Sequence, residues 1–550
     1  MPTEPSEWVL DVAGMTCDAC ERHVSHAVER AGGIDVRVSW RDGQATFDGA
    51  TIDEAKLTAE VAAAGYEAGA LHGRATPPAP TRAGGDVEWD LAIIGAGSAA
   101  FAAAIRAKEA GARVVMIEKA TPGGTCVNVG CVPSKALLVA ADAYHRGHHH
   151  AFAGIGHLDD TPADLGALVA QKDELVAGLR QAKYIDLVAD YGFTLRRGTA
   201  RFADADTIEV DGEPLRAANY LIATGARPAL PPIDGLAGVD YLTSTTALEL
   251  TEVPRSLAVI GANAIGLELG QAFARLGAQV TFLDIADRVA PFEEPEISAA
   301  LTAALTDEGA TVIVGADIKR VSAANGRVLI EGDLGELTRV EAERVLVATG
   351  RASNTGELKL AAAGIDVDRR GFVVVDEFLR TANSRVWAAG DVTASPQFVY
   401  VSASEGAIAA DNAIAGAGRR TDYRTLPRVI FTSPQIAAVG LTEAQAREAG
   451  FQVSTSVLPL AYVPRGIVNR DTRGLIKLVA DAASDRLLGV HIVADGAGEV
   501  IQAGVYALLA NLTVADVAGA FHPYLTMAEG LKLAAQTFHR DVTKLSCCAA

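Results

Sequence analysis

The sequence predicts an α/β protein of several domains, and three observations carry that reading. The plan strand, glycine turn, helix, strand in "EWDLAIIGAGSAAFAAAIRAKEAGARVVMIEK" returns in "RSLAVIGANAIGLELGQAFARLGAQVTFLD", and such a turn is how a βαβ unit takes a dinucleotide. A separate βαββα pattern precedes the first copy, across a tether rich in Pro, Gly, Ala and Thr, "HGRATPPAPTRAGGD". The chain has 550 residues, of which 49% are hydrophobic, too long for one core and apolar enough for several. The expected class is α/β: two Rossmann-like dinucleotide-binding domains plus an α+β domain suited to dimerisation, preceded by a small ferredoxin-like α+β domain.

The first unit reads as the alternating strand "EWVLDVAG", the amphipathic helix "CDACERHVSHAVERAGG" with Val24, Ala27 and Val28 on its apolar side, a hairpin of "IDVRVSW" and "QATFDG", and the helix "TIDEAKLTAEVAAAG". The two βαβ units follow the tether. From about Thr425 strand patterns ("GLIKLVAD", "RLLGVHIVAD") alternate with helices and carry no third dinucleotide turn. The net charge of −20 argues against a nucleic-acid or anionic-membrane partner. The start "MPTEPSE" lacks the basic and apolar regions of a signal peptide, and the longest uncharged apolar run, 91–105, is short for a membrane span. A cytoplasmic protein is expected.

Six cysteines fall into three close pairs: Cys17 with Cys20, Cys126 with Cys131, Cys547 with Cys548. Close pairs suit metal binding or redox exchange better than the stapling of distant loops. In "IIGAGSAA", Gly95 permits the tight turn, Gly97 admits a pyrophosphate, and Ala100 is the small residue that packs helix on strand; Glu118 ends the next strand, where it can accept from a ribose hydroxyl. "GGTCVNVGCVPSK" follows, and its spacing lets the sulfurs of Cys126 and Cys131 meet across a helix start. The helix N-terminus and Lys135 one turn on both favour thiolate. In "GANAIGLE" Gly261 and Gly266 remain while Asn263 replaces the middle glycine. Asp284, ending "VTFLD", would accept from a 2′-hydroxyl and repel a 2′-phosphate, whereas Arg288 is near enough in sequence to contact a phosphate. NADH and NADPH both stay open.

On these residues the chain resembles the flavin disulfide reductases over nearly all of 87–550. The resemblance implies FAD and a nicotinamide dinucleotide, NADPH or NADH. It implies that Cys131 is the thiol beside the flavin and Cys126 the exchanging one, and that Glu268 pairs with Lys135. Gly124 and Thr125, the "ATG" turns holding Thr224, Gly225 and Gly350, and Asp391 of "AAGD" become FAD- or dinucleotide-contacting positions. The implied division is a heavy-metal-associated domain at 7–72, a linker at 73–86, FAD-binding parts at 87–243 and 344–422, an NAD(P)H-binding domain at 244–343, and a dimerisation domain at 423–550.

Members that reduce disulfides carry a histidine before proline near the C-terminus and a glutamate five residues on. Here "FHPYLTMAEG" has His522 before Pro523 but Met527 at the acid's place, with Glu529 on another helical face. The proton-shuttling dyad is incomplete. The terminal "LSCC" places two soft thiols, Cys547 and Cys548, on a tail expected to be frayed and wet. Together these features resemble the mercuric reductases, with Hg(II), delivered as thiol complexes, as substrate. The resemblance implies a homodimer in which one subunit's tail serves the other's flavin site, a membrane mercury transporter upstream as a possible partner, and Tyr184 and Tyr524 flanking the metal. On sequence alone, packing accounts for both tyrosines. "GMTCDAC" resembles heavy-metal-associated domains, whose two thiols, here Cys17 and Cys20, hold a linear metal ion. The cluster His145, His148, His149 and His150 reads as a solvated helix end. A disulfide reductase, and a metal-trafficking protein with an idle flavin core, are the rival readings.

Overall fold

The computed structural model describes residues 7–15, 18–40, 43–48, 52–74, 87–159 and 161–544. The N-terminal unit is a four-stranded antiparallel sheet in the order Ile34–Ser39, Gln44–Asp48, Glu7–Ala13, Glu67–Arg74. Its helices Asp18–Ala31 and Glu54–Ala63 lay Val24, Ala27, Val28, Leu57 and Val61 on Leu10, Val12, Ala45 and Phe47. The fourth strand, "EAGALHGR", is an addition to the five-element sequence pattern. Alanine and glycine give it little strand propensity, and pairing with Glu7–Ala13 supplies what propensity does not. It runs to Arg74, slightly past the expected end at 72.

The first dinucleotide unit is a five-stranded parallel sheet in the order Val386–Ala388, Ala217–Ile222, Trp89–Ile94, Val114–Glu118, Thr194–Arg197. Its edge strand Val386–Ala388 arrives only after the second unit has been completed, so the second unit is an insertion in the first. That second sheet is also parallel, ordered Tyr241–Leu242, Arg344–Val347, Ser256–Ile260, Gln279–Leu283, Thr311–Ile313. It therefore spans residues 241 to 347, a few beyond 244–343 at each end, because the apolar run "RVLV" stays in the sheet until the turn that follows it. The inner strands of both sheets read as nearly unbroken apolar runs because both faces are covered: helices pack on one face, and a three-stranded antiparallel sheet packs on the other, formed by 200–215 in the first unit and 317–342 in the second.

The C-terminal unit is a five-stranded antiparallel sheet in the order Arg428–Ile430, Gln435–Gly440, Leu487–Ala494, Leu475–Asp481, Val453–Pro459. Helices Ala497–Leu509 and Glu529–Gln536 close its core through Val500, Ile501, Leu531 and Ala534. One stretch among the described residues, Gly124–His148, is long and apolar enough by composition to cross a membrane. It is the helical segment that carries Cys126 and Cys131, and its Leu137 and Ala141 are packed in a core cluster of the fold.

Candidate active site

The geometry begins with two turns built alike. Gly95 and Gly261 adopt φ +115° and +105°, and a Cβ on either would meet a carbonyl oxygen, of Ala223 at 2.3 Å or of Ala348 at 2.5 Å. Only glycine fits. The next fingerprint position is the helix N-cap in both turns, Gly97 with φ −92° and Asn263 with φ −114°. Both are ordinary extended backbone, so Asn263 costs the turn nothing in conformation. Gly266 is held by contact, since its Cβ would lie 1.9 Å from the Gly261 oxygen. Ala100 is fully buried, packing the first helix on its sheet.

The groove around the first turn suits FAD. A Cβ on Gly124 would lie 2.6 Å from Gly97 Cα, so the segment leading to Cys126 meets the turn backbone to backbone, with Thr125 exposed beside it. Glu118 Oε1 accepts the Ala120 N–H at 2.6 Å and keeps lone pairs for a ribose. Thr224 and Gly225 form the turn beyond strand Ala217–Ile222, tied by Asn354 Nδ2 donating to Thr224 O at 2.9 Å; Gly350 takes φ +131° at the corresponding turn of the second unit. Asp391 is the telling group. It is mostly buried, its partners are the Ser402 hydroxyl at 3.4 Å and Arg351 Nε at 3.5 Å, and burial raises its pKa. A buried carboxylate with such long contacts, beside an Arg351 Nε that lacks a hydrogen bond, suits a chain of hydroxyls. Glu405, fully buried, fixes this corner by accepting the Gly390 N–H at 2.6 Å and the Tyr423 hydroxyl. The donor and acceptor set fits the flavin dinucleotide.

Cys126 lies on the short helix Gly124–Val129 and Cys131 is the first residue of helix Cys131–His148. Both are free thiols, and they share a hydrogen bond. That bond lowers Cys131 to about 7, against burial and with help from the Lys135 ammonium. The same bond, with burial, raises Cys126. The pair is thus polarised, with thiolate at Cys131 and S–H at Cys126. Lys135 Nζ donates to Glu268 Oε2 at 2.6 Å, and Glu268 Oε1 accepts the Phe431 N–H at 2.9 Å. The same ammonium stands 4.6 Å from the Phe431 ring. The sign of the pH dependence follows: Cys131 is protonated below about 7 and becomes nucleophilic above it. Lys135→Met should therefore move the pH midpoint of Cys131 alkylation, followed by mass spectrometry, upward from about 7. An unmoved midpoint would remove Lys135 from thiolate control.

Tyr184 sits in a single π-helical turn, Gln181–Ile185, of the kind that marks functional sites. It packs edge-on against Phe101 at 4.9 Å, and its hydroxyl bonds Ser98. Burial raises its pKa, and the fields of Cys126 and Cys131 add to this, which places the phenol near the pair. Three further groups have no signal in the sequence. Asn128, inside the Cys-x4-Cys segment, donates to Pro122 O at 3.0 Å and Gly124 O at 2.9 Å and accepts from Arg180 Nη1 at 3.1 Å. It clamps the cysteine segment to the helix that leads into Tyr184. Phe431 comes from the C-terminal unit. Tyr400 is pushed up to about 12 by burial, and Cys131 contributes to the same rise.

At the second turn Asp284 accepts the Ala262 N–H at 2.5 Å. On the C-terminal unit His522 is half-buried and Tyr524 is exposed, at 52%. Met527 is buried in that unit's core, and Glu529 is buried, accepting the Leu525 N–H at 3.2 Å. Neither residue stands as a free acid beside His522. The histidine cluster is more than a solvated helix end. His145 is half-buried and lowered to about 4 by burial and then by Arg275, and His148 bonds the carbonyls of Tyr144 and Asp159. Arg275 and Glu308 reach it from the second dinucleotide unit, which helix periodicity cannot foretell. No group of three metal-binding side chains occurs among the described residues. Cys20 is buried, while Cys17, Cys547 and Cys548 lie outside the described residues.

Comparison with known proteins bears on this arrangement. Residues 89–406 match the family described as pyridine nucleotide-disulphide oxidoreductase, residues 426–535 its dimerisation domain, and residues 9–67 the heavy-metal-associated domain. A mercuric reductase of Staphylococcus aureus is 48% identical over 547 residues, 99% of each chain. One of Streptomyces lividans is 53% identical over 473 residues, covering 84% of this chain and 98% of its own. Among solved structures, the HOCl-induced flavoprotein disulfide reductase RclA of Escherichia coli, as its Cu(II) complex, superposes with a TM-score of 0.74 at 31% identity, over 82% of this chain and 99% of that one. LpdA of Mycobacterium tuberculosis gives a TM-score of 0.74 at 25% identity with the same coverage. The chain belongs to the pyridine nucleotide-disulphide oxidoreductases, in their mercuric reductase branch, and carries a heavy-metal-associated domain ahead of that core.

Proposed function

We propose that this enzyme takes Hg(II) from complexes with small thiols, passes it inward between cysteine pairs, and reduces it to Hg(0) at Cys126 and Cys131. FAD held in the first groove supplies two electrons there, replenished from a nicotinamide dinucleotide at the second turn. The residues do the rest. Cys131, thiolate near neutral pH, attacks a thiol-bound Hg(II) and one incoming thiolate leaves. Cys126 gives up its proton as it binds the ion and the second thiolate departs. The Lys135–Glu268 pair, anchored on Phe431, holds positive charge against the sulfurs while they carry the cation. Two electrons convert Hg(II) to Hg(0), which thiolates bind poorly, and the pair is free again.

The observation that carries this reading is the pairing of a polarised, unbridged dithiol with a histidine that lacks its acid, since Met527 is buried in the core. A disulfide substrate releases a thiolate that must be protonated in place. A metal ion exchanging between thiolates makes no such demand, and soft sulfur ligands suit a soft cation. Upstream steps belong to the same proposal. Cys547 and Cys548 collect the ion for the partner subunit's inner pair, Cys17 and Cys20 raise its local concentration, Tyr184 and Tyr524 flank it, and a membrane transporter delivers it to the cytoplasm. The six-part division at 7–72, 73–86, 87–243, 244–343, 344–422 and 423–550 is the working domain plan. The test is nicotinamide oxidation by the FAD-loaded homodimer. Hg(II) with excess thiol should drive it rapidly, and lipoamide or glutathione disulfide only weakly. Faster oxidation by either disulfide would overturn the reading.

A further inference from the structure

We propose that the second turn is built for NAD(H), and that Asp284 is the residue that makes it reject the 2′-phosphate of NADP(H). The inference rests on the reading of the Gly261–Gly266 turn as the nicotinamide dinucleotide site.

Asp284 directly follows strand Gln279–Leu283, whose parallel neighbour Ser256–Ile260 feeds the turn. The Gly261 N–H donates to Leu283 O at 2.8 Å, so the strand end and the turn are fastened together. The carboxylate is fastened as well. Oδ2 accepts the Ala262 N–H at 2.5 Å, within the turn itself, and Oδ1 accepts the Ala286 N–H at 2.8 Å. Each oxygen keeps a lone pair for a ribose hydroxyl. Two backbone anchors keep the anion from swinging aside to admit a phosphate. The first turn supplies an internal control. Glu118 ends the equivalent strand and also accepts an N–H from two residues on, Ala120 at 2.6 Å. That turn suits FAD, whose adenosine has a free 2′-hydroxyl, and the second turn copies its acid.

A site for a 2′-phosphate also needs an unengaged cation. Arg288 is the one Lys or Arg in 285–291. Its Nη1 bonds Asp287 Oδ1 at 3.2 Å, its Nη2 donates to Pro291 O at 2.8 Å, and its Nε is buried. It closes its own loop. Asp287 adds a second carboxylate, 82% exposed. The neighbouring strand end is Val314, Gly315 and Ala316, joined to this loop by Asp284 N–H to Ile313 O at 3.0 Å; it brings Asp317, paired with Lys319. Charge at this end of the sheet thus favours a hydroxyl over a phosphate.

Isothermal titration of the full-length, FAD-loaded dimer with NAD⁺ and with NADP⁺ tests this without turnover. NAD⁺ should bind at least about tenfold more tightly. Asp284→Asn and Asp284→Ser should each weaken NAD⁺ and strengthen NADP⁺, reducing the ratio by about tenfold. A merely structural Asp284 would weaken both dinucleotides together. Arg288→Gln should leave the ratio within about twofold. Equal or tighter binding of NADP⁺ by the wild type, or an unmoved ratio in both Asp284 variants, would overturn the inference while leaving the dinucleotide turn intact. Binding of neither dinucleotide would overturn the turn's reading and the inference with it.

Discussion

Cys126→Ser and Cys131→Ser should each lower the Hg(II)-dependent rate by more than about a hundredfold, because outer-shell changes at metal sites already cost roughly 10–100-fold in affinity or activity and these remove a ligand. Serine keeps the shape and can still donate a hydrogen bond, so the expected loss comes from replacing soft sulfur by hard oxygen. The two variants should also differ in a measurable way. Cys126→Ser retains Cys131 as the thiolate, although the donor that lowers it is now a hydroxyl. Cys131→Ser removes the group beside Lys135 and the thiolate that raises Cys126 most, and leaves Cys126 as the remaining sulfur, still raised by burial. Alkylation near neutral pH should therefore label Cys131 in the first variant faster than Cys126 in the second. Reduction of bound flavin by nicotinamide should persist in both. A rate within tenfold of wild type in either variant would remove the inner pair from the chemistry.

Cys547→Ser with Cys548→Ser should cripple turnover of thiol-complexed Hg(II) and leave flavin reduction and the Cys131 titration unchanged. A tethered pair raises local ligand concentration, and tethering changes apparent affinity by about 10²–10⁴-fold without any new contact. The loss should accordingly fall on kcat/KM and deepen as competing free thiol is added. Mixed dimers sharpen the test. A subunit lacking the inner pair but keeping its tail, joined to one lacking only its tail, should regain one working site if tails cross between subunits. An unaffected rate in the tail variant would take Cys547 and Cys548 out of the mechanism.

How much of this was legible in the residues depended on whether the signal was local. Gly95 and Gly261 announce their turns because a positive φ and a nearby carbonyl oxygen admit no side chain. Asn263 breaks the glycine pattern harmlessly because its backbone is extended. Cys126 and Cys131 are close enough in sequence for spacing to speak. Lys135 and Glu268 lie 133 positions apart, and only family resemblance paired them ahead of the structure. Phe431 and the Asn128–Arg180 clamp were missed, since each joins segments whose proximity the fold alone creates. His145 was misjudged for the same reason, its partners Arg275 and Glu308 belonging to another unit. The strand Glu67–Arg74 escaped because its residues have low intrinsic preference and its partner strand stabilises it.

The central claim is a two-electron reduction of mercury at a pair of sulfurs, and the most direct measurement is of the product itself. Purified enzyme, loaded with FAD and with its cysteines reduced, is supplied with nicotinamide dinucleotide and Hg(II) in excess thiol under a stream of inert gas. The account predicts elemental mercury in the gas phase, one atom for each dinucleotide oxidised. Dinucleotide oxidation with no volatile mercury, or retention of all the metal as Hg(II) on the protein, would contradict it.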